Sequence, residues 1–166
     1  QKRRWSEAES EYRKALALDP KSRSARLSLA IDLFTELKNE EALDLDKSLL
    51  AEVPDDPEAN LLAGEILVQQ HQYEQAEPYL NKCGKLKEDL RPQLHLMLGQ
   101  VYSETGRIPE AISEYKLGLS TDQDGSIHYQ LARLYQKSGD SAAASEQIRI
   151  SKQLREHWDN QAHVVL

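Results

Sequence analysis

The residues that could carry chemistry are few and lie far apart in this sequence of 166 residues. Five histidines are present, but their spacing fits no compact zinc motif, in which ligands lie within a few residues of one another. They are His71, His95, His128, His157 and His163. Glycine-rich phosphate loops, nucleophile elbows and cysteine–histidine pairs do not occur. The sequence therefore predicts a protein that is not an enzyme and that uses no cofactor and no metal.

One acidic segment resembles part of a calcium-binding loop. Asp122 and Asp124 precede Gly125, but the third acidic ligand and the closing glutamate of such a loop are missing. We interpret the segment as a turn that caps the following helix. Cys83 is the only cysteine, so no internal disulfide can form.

An alanine recurs along the chain at intervals close to 34 residues. The five positions are Ala8, Ala42, Ala76, Ala111 and Ala144, at spacings of 34, 34, 35 and 33. A second small residue precedes each of the last four, at Ala30, Ala63–Gly64, Gly99 and Ala132. Because two helices approach closely only where small residues lie at their contact, each interval predicts one pair of packed helices.

The fullest version of this pattern surrounds Gly99. Leu98 and Gly99 are followed by Tyr102, and Ala111 is followed by Tyr115. The pattern resembles the tetratricopeptide repeat (TPR), a helix–turn–helix module of 34 residues. The resemblance covers nearly all of residues 1–158 and implies an all-α fold, a right-handed superhelical solenoid of antiparallel helix pairs.

The resemblance also implies a division of the chain within a single solenoid domain, 1–166. Complete repeats are expected at 23–56, 57–91, 92–124 and 125–158. Residues 1–22 would form the second helix of an incomplete repeat, and residues 159–166 a tail. Since the chain opens in the middle of a repeat, we expect it to be a fragment of a longer chain.

The repeat accounts for several of the residues that could carry chemistry. Cys83 falls where Ala15 falls in the first unit, so we interpret it as a small buried packing residue and not as a reactive thiol. His95 and His128 occupy equivalent places in adjacent repeats and could lie on neighbouring helices. A two-histidine metal site would need that arrangement, but polar groups at a helix seam are the simpler interpretation.

Helix boundaries follow from proline, glycine and aspartate signals. We predict helices at 3–18, 24–37, 39–52, 57–70, 73–87, 91–105, 108–120, 126–138 and 141–157, and a frayed tail from Asp159 onward. Asp46 stands where an apolar side chain should face the core. A buried unpaired carboxylate would cost several kcal/mol, on the order of 5, so we expect the helix to rotate and bury Leu45 or Leu49. Pro78 should kink its helix or delay its regular start.

Charge and hydropathy narrow the class of partner. The net charge is −7, acidic and basic residues are mixed, and no block of like charge exceeds Lys2–Arg3–Arg4. A nucleic-acid partner is therefore not expected. No segment approaches the ~20 apolar residues of a membrane-spanning helix, so membrane insertion is not expected either.

The TPR resemblance also implies a place for a partner. In this family the first helix of each repeat lines the concave face of the superhelix. The residues expected on that face are Leu27, Ile31, Phe34, Leu61, Glu65, Val68, Gln100, Ser103, Tyr129, Arg133, Gln136 and Lys137. We predict a non-catalytic module that binds a segment of a partner protein or a peptide in this groove. Its apolar end would hold aliphatic or aromatic anchors, and Arg133 with Lys137 would meet an acidic group.

Other interpretations stay open. Leu27, Ile31 and Leu61 could pack between repeats or beneath upstream helices instead of contacting a partner. The chain could also form a homo-oligomer or a multiprotein scaffold through the open ends of the solenoid, where the unpaired first helix carries Trp5 and Tyr12. A regulatory arm of a larger enzyme is the third possibility, since a fold alone does not determine function.

Overall fold

The protein is built from helices. A computed structural model describes the backbone of residues 2–164 and the side chains of residues 8–161, so the side chain of Trp5 lies outside the described residues. Within this part of the chain every regular element is helical, which confirms the predicted all-α class. The α-helices are α1 (Lys2–Leu18), α2 (Arg23–Thr35), α3 (Asn39–Leu50), α4 (Pro57–Gln69), α5 (Tyr73–Leu80), α6 (Arg91–Glu104), α7 (Ile108–Leu117), α8 (Ser126–Lys137) and α9 (Ser141–Val164). Short 3₁₀ helices lie at Glu88–Leu90 and Leu119–Thr121.

The helices pack as sequential pairs within two compact units, residues 1–86 and residues 87–166. In the first unit α2 packs on α3 and α4 on α5, while α1 contacts α2 and α3 contacts α4. In the second unit α6 packs on α7 and α8 on α9, while α7 contacts α8. Three-residue turns join the members of each pair, so the two helices run antiparallel. These pairs are the ones that the 34-residue interval predicts.

The four turns inside the pairs share one hydrogen-bond pattern. The middle residue of each turn has a left-handed backbone, at Leu37, His71, Gly106 and Gly139, with φ of 62°, 59°, 80° and 85°. The next residue donates its N–H to the carbonyl five residues earlier, as Lys38 does to Leu33 at 2.9 Å. This is the Schellman motif, which satisfies carbonyls that a helix end would otherwise leave free. The motif fixes where each first helix stops.

Aspartate side chains begin two of the first helices. Asp56 Oδ1 accepts a hydrogen bond from the N–H of Ala59 at 3.0 Å at the start of α4. The carboxylate of Asp122 accepts the N–H groups of Ile127 and His128, at 3.2 and 2.9 Å, at the start of α8. Each bond satisfies an N–H that has no partner within the helix. The segment around Asp122 is therefore a capping turn, as predicted.

In the pairs α4–α5 and α6–α7, a glycine on the first helix lies directly beneath a large side chain of the second helix. A Cβ atom added to Gly64 would lie 2.3 Å from Leu80 Cδ2, and one added to Gly99 would lie 3.0 Å from the Tyr115 ring. Leucine side chains fill the space around these contacts, and each fully buried one contributes roughly 1.5–3 kcal/mol. The most deeply buried leucines and isoleucines are Leu49, Ile66, Leu67 and Leu80 in the first unit and Leu131 and Leu134 in the second.

Asp46 corrects one prediction, because its side chain is fully buried. The helix has not rotated away: Leu49 is buried beside it, and Leu45 is only half-buried. The physical reason lies in the residues one turn away. Ala42 and Leu50 share the buried face of α3, and a rotation that exposed Asp46 would pull both of them out of the core.

The helix that contains Pro78 also differs from expectation. Its start is not delayed, since α5 begins at Tyr73, but the helix ends at Leu80 and not at residue 87. Proline has no N–H to donate within a helix, which weakens the turn that contains it. After Leu80 the chain continues through tight turns, in which the N–H of Cys83 bonds to the Leu80 carbonyl at 3.2 Å.

The end of the chain is more regular than predicted. Helix α9 continues to Val164, so the segment from Asp159 to Val164 is helical and not a frayed tail. No glycine or proline follows Gly139 in the sequence, and nothing therefore stops the helix after its first turns. At 24 residues α9 is the longest helix among the described residues.

Candidate protein-interaction surface

The surroundings of the cysteine and of the potential metal ligands decide their reactivity, and Cys83 packs in the core. Cys83 is buried, and this burial raises the pKa of its thiol to about 12. The reactive thiolate is therefore scarce near neutral pH, which favours the packing role that the sequence indicates. Among the residues that the structure describes, no group of three or more histidine, cysteine or acidic side chains could hold a metal ion.

A polar residue recurs at the same place in every first helix. The four residues are Arg26, Asn60, His95 and His128. His95 Nδ1 lies 2.7 Å from Glu114 Oε2, which joins α6 to α7, and His128 Nδ1 bonds to the buried Asp122 carboxylate. These histidines therefore take part in a polar helix seam, as the simpler interpretation holds. Asn60 precedes His95 by one repeat length, and Arg26 precedes Asn60 by another, so the repeat interval relates all four positions.

Asn60 and Arg26 play the same part in the first unit. Asn60 Nδ2 donates to the carbonyls of Pro54 and Asp56 at 2.9 and 2.8 Å. Arg26 bridges its helix to α3 by donating to the Ser48 carbonyl, at 3.2 Å. Each polar residue thus ties a first helix to a neighbouring turn or helix, where an apolar side chain would only pack.

In the first unit, the residues predicted to face a partner differ in exposure. Ile31 is 45% exposed, whereas Phe34 on α2 and Glu65 on α4 are half-buried. The other three, Leu27, Leu61 and Val68, are buried. The two helices that carry these residues, α2 and α4, contact each other within the first unit.

In the second unit, four predicted residues form an exposed stripe on α8. Tyr129 is 46% exposed, and Arg133 and Gln136 lie one and two turns further along the same side of the helix. Lys137 is exposed beside Gln136. Opposite this stripe, α8 buries Ile127, Leu131 and Leu134, so its orientation is fixed by the core. On α6, Gln100 and Ser103 are half-buried.

The two cations of the stripe have no acidic partner within the described part of the chain. Arg133 Nη1 makes one long hydrogen bond, to Gln130 Oε1 at 3.4 Å, and Lys137 makes none. By contrast, the exposed Arg149 on α9 is paired with the carboxylate of Glu146 at 2.6 Å. The stripe on α8 therefore presents two positive charges that no carboxylate among residues 8–161 pairs with.

The first unit also contains a groove that no sequence pattern indicates. It lies between α1, α2 and α3 and has a volume of about 440 Å³. Its lining residues are Arg13, Leu16, Ala17, Leu29, Leu33, Glu41 and Leu45. Because the lining comes from helices of two successive repeats, the periodicity within one repeat cannot reveal it.

Comparison with protein families decides the class of repeat. Three tetratricopeptide repeat models match the sequence, over residues 1–57, 33–90 and 92–124. The chain belongs to the tetratricopeptide repeat family. Proteins of this family generally act as non-catalytic interaction modules, and membership supports a protein-interaction module for this chain.

Solved structures share the TPR fold. A MamA structure from Desulfovibrio magneticus RS-1 is 17% identical with a TM-score of 0.80, covering 93% of this chain and 88% of that one. MamA from AMB-1 is 24% identical with a TM-score of 0.79, covering 93% and 91%. YrrB, described as a TPR protein with an unusual peptide-binding site, is 20% identical with a TM-score of 0.77, covering 93% and 79%. No curated protein sequence matches significantly.

Of the helices in residues 2–164, none is both long enough and apolar enough to span a membrane.

Proposed function

We propose that this TPR chain binds a segment of a partner protein through the exposed side of α8, the first helix of the last pair in its second unit. The observation that carries the proposal is the stripe on α8, where Tyr129 is exposed beside Arg133 and Lys137, two cations that pair with no acidic side chain of the described residues. An aromatic side chain costs free energy when it faces water, and unpaired cations gain most when a carboxylate reaches them. The fitting partner segment is therefore acidic and carries at least one apolar anchor.

The first unit supplies an apolar surface of the same kind. Ile31 is exposed, Phe34 is half-buried, and the buried Leu27 and Leu61 form the layer beneath. In this proposal the buried leucines hold the surface in place and Ile31 with Phe34 makes the contact. YrrB, which has the same fold, is described as having a peptide-binding site, and this supports a peptide-like ligand.

The test is an affinity capture from a lysate of the source organism, read by mass spectrometry. Wild type is compared with Arg133→Glu/Lys137→Glu and with a matched control, Lys152→Glu/Arg155→Glu on α9. Both double variants replace exposed cations and lower the net charge of −7 by four. We expect a partner that wild type and the control retain and that the α8 variant loses. Equal retention by all three would contradict the α8 stripe as the site.

Stability must be measured alongside binding. All four positions are exposed, so each double variant should change the free energy of unfolding by no more than about 0.5 kcal/mol per substitution. Circular dichroism melting of the two variants checks this. A loss of binding that accompanied unfolding of the α8 variant alone would be a stability effect.

Assembly is a second candidate function, and the far end of α9 favours it. Ser151 is buried where its hydroxyl donates to the Gly125 carbonyl at 2.6 Å, at the start of α8. Leu154 and Trp158 lie on the same side of α9, further along, and Trp158 is 45% exposed. If this end joins copies of the chain, the mass in solution should rise with concentration and Trp158→Gln should abolish the rise. A constant monomer mass would exclude it.

A further inference from the structure

Asp46 is a carboxyl group in the core with nothing bonded to it. Its side chain has no exposure, and neither of its oxygens has a hydrogen-bond partner. The equivalent places in the later repeats hold Leu80, Tyr115 and Ile148. An ionised carboxylate in such a place loses its hydration without compensation, whereas the neutral acid loses far less.

The charged groups on the helices packed against α3 do not neutralise Asp46. They are Arg23, Arg26 and Asp32 on α2, and Asp56, Glu58 and Glu65 on α4 or at its cap. Arg23 bonds to Asp56 and Glu58, and Arg26 is directed at Glu52 and at backbone carbonyls.

Burial and charge both favour the neutral form. Burial raises the pKa of Asp46 to about 7, and the negative charge of Asp56 adds to the shift in the same direction. On α4, the Oδ1 atom of Asn60 is also buried and lacks a donor. Helices α3 and α4 pack on each other, so each of these two packed helices contains a buried polar atom without a hydrogen-bond partner.

We propose that Asp46 makes the first unit a proton-operated element, in which α3 packs firmly on α2 and α4 while the carboxyl is neutral and loosens when it ionises. The proton is released to water, and no other reactant is involved. Because α2 and α4 carry Ile31, Phe34 and Glu65, ionisation would loosen the support of that surface. The inference rests on the packing of α3 and stands whether or not that surface binds a partner.

The direction of the pH effect follows from the two states. In the unfolded chain Asp46 has its ordinary pKa near 3.8, and in the folded chain the pKa is raised. Between those values only the folded state holds the proton, so stability falls as the pH rises. The unfolding equilibrium constant of the first unit should rise up to about tenfold per pH unit from pH 5 to pH 7.

The experiment is amide hydrogen exchange of the full chain between pH 5 and pH 8, corrected for intrinsic exchange rates. Wild type is compared with Asp46→Asn, which keeps the shape without the charge, and with Asp44→Asn, an exposed aspartate on the same helix. We expect protection of α3 to fall with pH in wild type and in Asp44→Asn, and to be level in Asp46→Asn. The same slope in wild type and Asp46→Asn would overturn the proposal.

A second measurement does not depend on any variant folding. Carbon-13 NMR of the wild-type aspartate side chains follows the Asp46 carboxyl directly. A titration midpoint near 7 supports the proposal, and a midpoint near 4 overturns it, even if Asp46→Asn fails to fold.

Discussion

The pair α2–α3 and the pair α6–α7 share one type of turn but have different side chains at two equivalent places. Both reverse through a three-residue turn with a left-handed middle residue. In α6–α7 that residue is Gly106, and Tyr115 packs over Gly99. In α2–α3 the turn residue is Leu37, and Asp46 takes the place of the tyrosine.

The difference shows what a repeat needs in order to form. The turn does not require glycine at its middle residue or an apolar side chain at position 46, because the first pair makes the same turn hydrogen bonds without either. Leucine in a left-handed conformation and a carboxyl in the core each cost free energy. Both features occur in the first pair, and because Leu37 is 75% exposed, its side chain gains little packing to offset the left-handed strain.

The largest expected effect tests the dependence of the second unit on glycine. Gly125→Ala places a Cβ atom 2.3 Å from the Ser151 carbonyl oxygen, in a backbone with φ of 77°. Overpacking against backbone and left-handed strain together should cost about 3–5 kcal/mol. Gly139→Ala is the control, since φ is 85° but no atom lies within 4 Å. Urea unfolding should show a loss of only about 1–2 kcal/mol there; equal losses would show that the contact with Ser151 is unimportant.

The second-largest expected effect is a pH dependence of stability that Asp46 gives to the first unit. The pKa of Asp46 is raised to about 7, so stability is lost as the pH rises towards that value. Between pH 5 and pH 7 the free energy of unfolding of residues 1–86 should fall by about 2–3 kcal/mol, at about 1.36 kcal/mol per pH unit. Replacing Asp46 by asparagine should remove that part of the slope. If the thermal stability of wild type and of Asp46→Asn changes equally with pH, Asp46 does not cause the pH dependence.

Overfilling the helix contact between α6 and α7 should lower the stability by a smaller amount. Gly99→Leu drives a large side chain against the Tyr115 ring, which already lies 3.0 Å from an added Cβ atom, and should cost about 2 kcal/mol. Gly84→Leu serves as the control, because nothing lies within 4 Å of its added Cβ atom. Chemical denaturation measures both variants. If Gly99→Leu is as stable as Gly84→Leu, the helix contact proposed from the repeat is not the close one.

The smallest expected change in stability comes from exchanging the turn residues of the two pairs. Leu37→Gly removes left-handed strain from an exposed side chain and should raise the stability by up to about 1 kcal/mol, after the entropy cost of glycine. The reverse change, Gly106→Leu, should lower it by about 1–2 kcal/mol. Differential melting temperatures of the two variants measure the exchange. A destabilised Leu37→Gly variant would show that Leu37 makes a contact that stabilises the fold.

Much of this fold could be predicted from the sequence, because the signals repeat. The recurring alanines and the small residues before them locate each helix contact, and Gly106 and Gly139 mark turns by their type. Leu37 and His71 occupy equivalent turns without that signal, and only their spacing from Gly106 indicates them. The absence of glycine and proline after Gly139 was a readable signal for the length of α9.

Other features could not be predicted, for physical reasons. The burial of Asp46 was excluded by assuming that the carboxyl stays ionised, whereas the raised pKa makes the neutral form available. On the proposed binding face, helical periodicity gives the direction of a side chain but not the neighbours that cover it. Leu61 is therefore buried while Ile31 is exposed, although both are expected on the same face. The missing acidic partners of Arg133 can be seen only in three dimensions.

The most direct test of the proposed binding face is site-specific photo-crosslinking. A benzoylphenylalanine replaces Tyr129 on α8 in one variant and the exposed Lys152 on α9 in another. We predict that a partner is crosslinked from position 129, that the crosslink disappears when Arg133→Glu/Lys137→Glu is added, and that position 152 gives none. Crosslinking from position 152 alone, or equally from both positions, would contradict the account and place the partner elsewhere on the repeat.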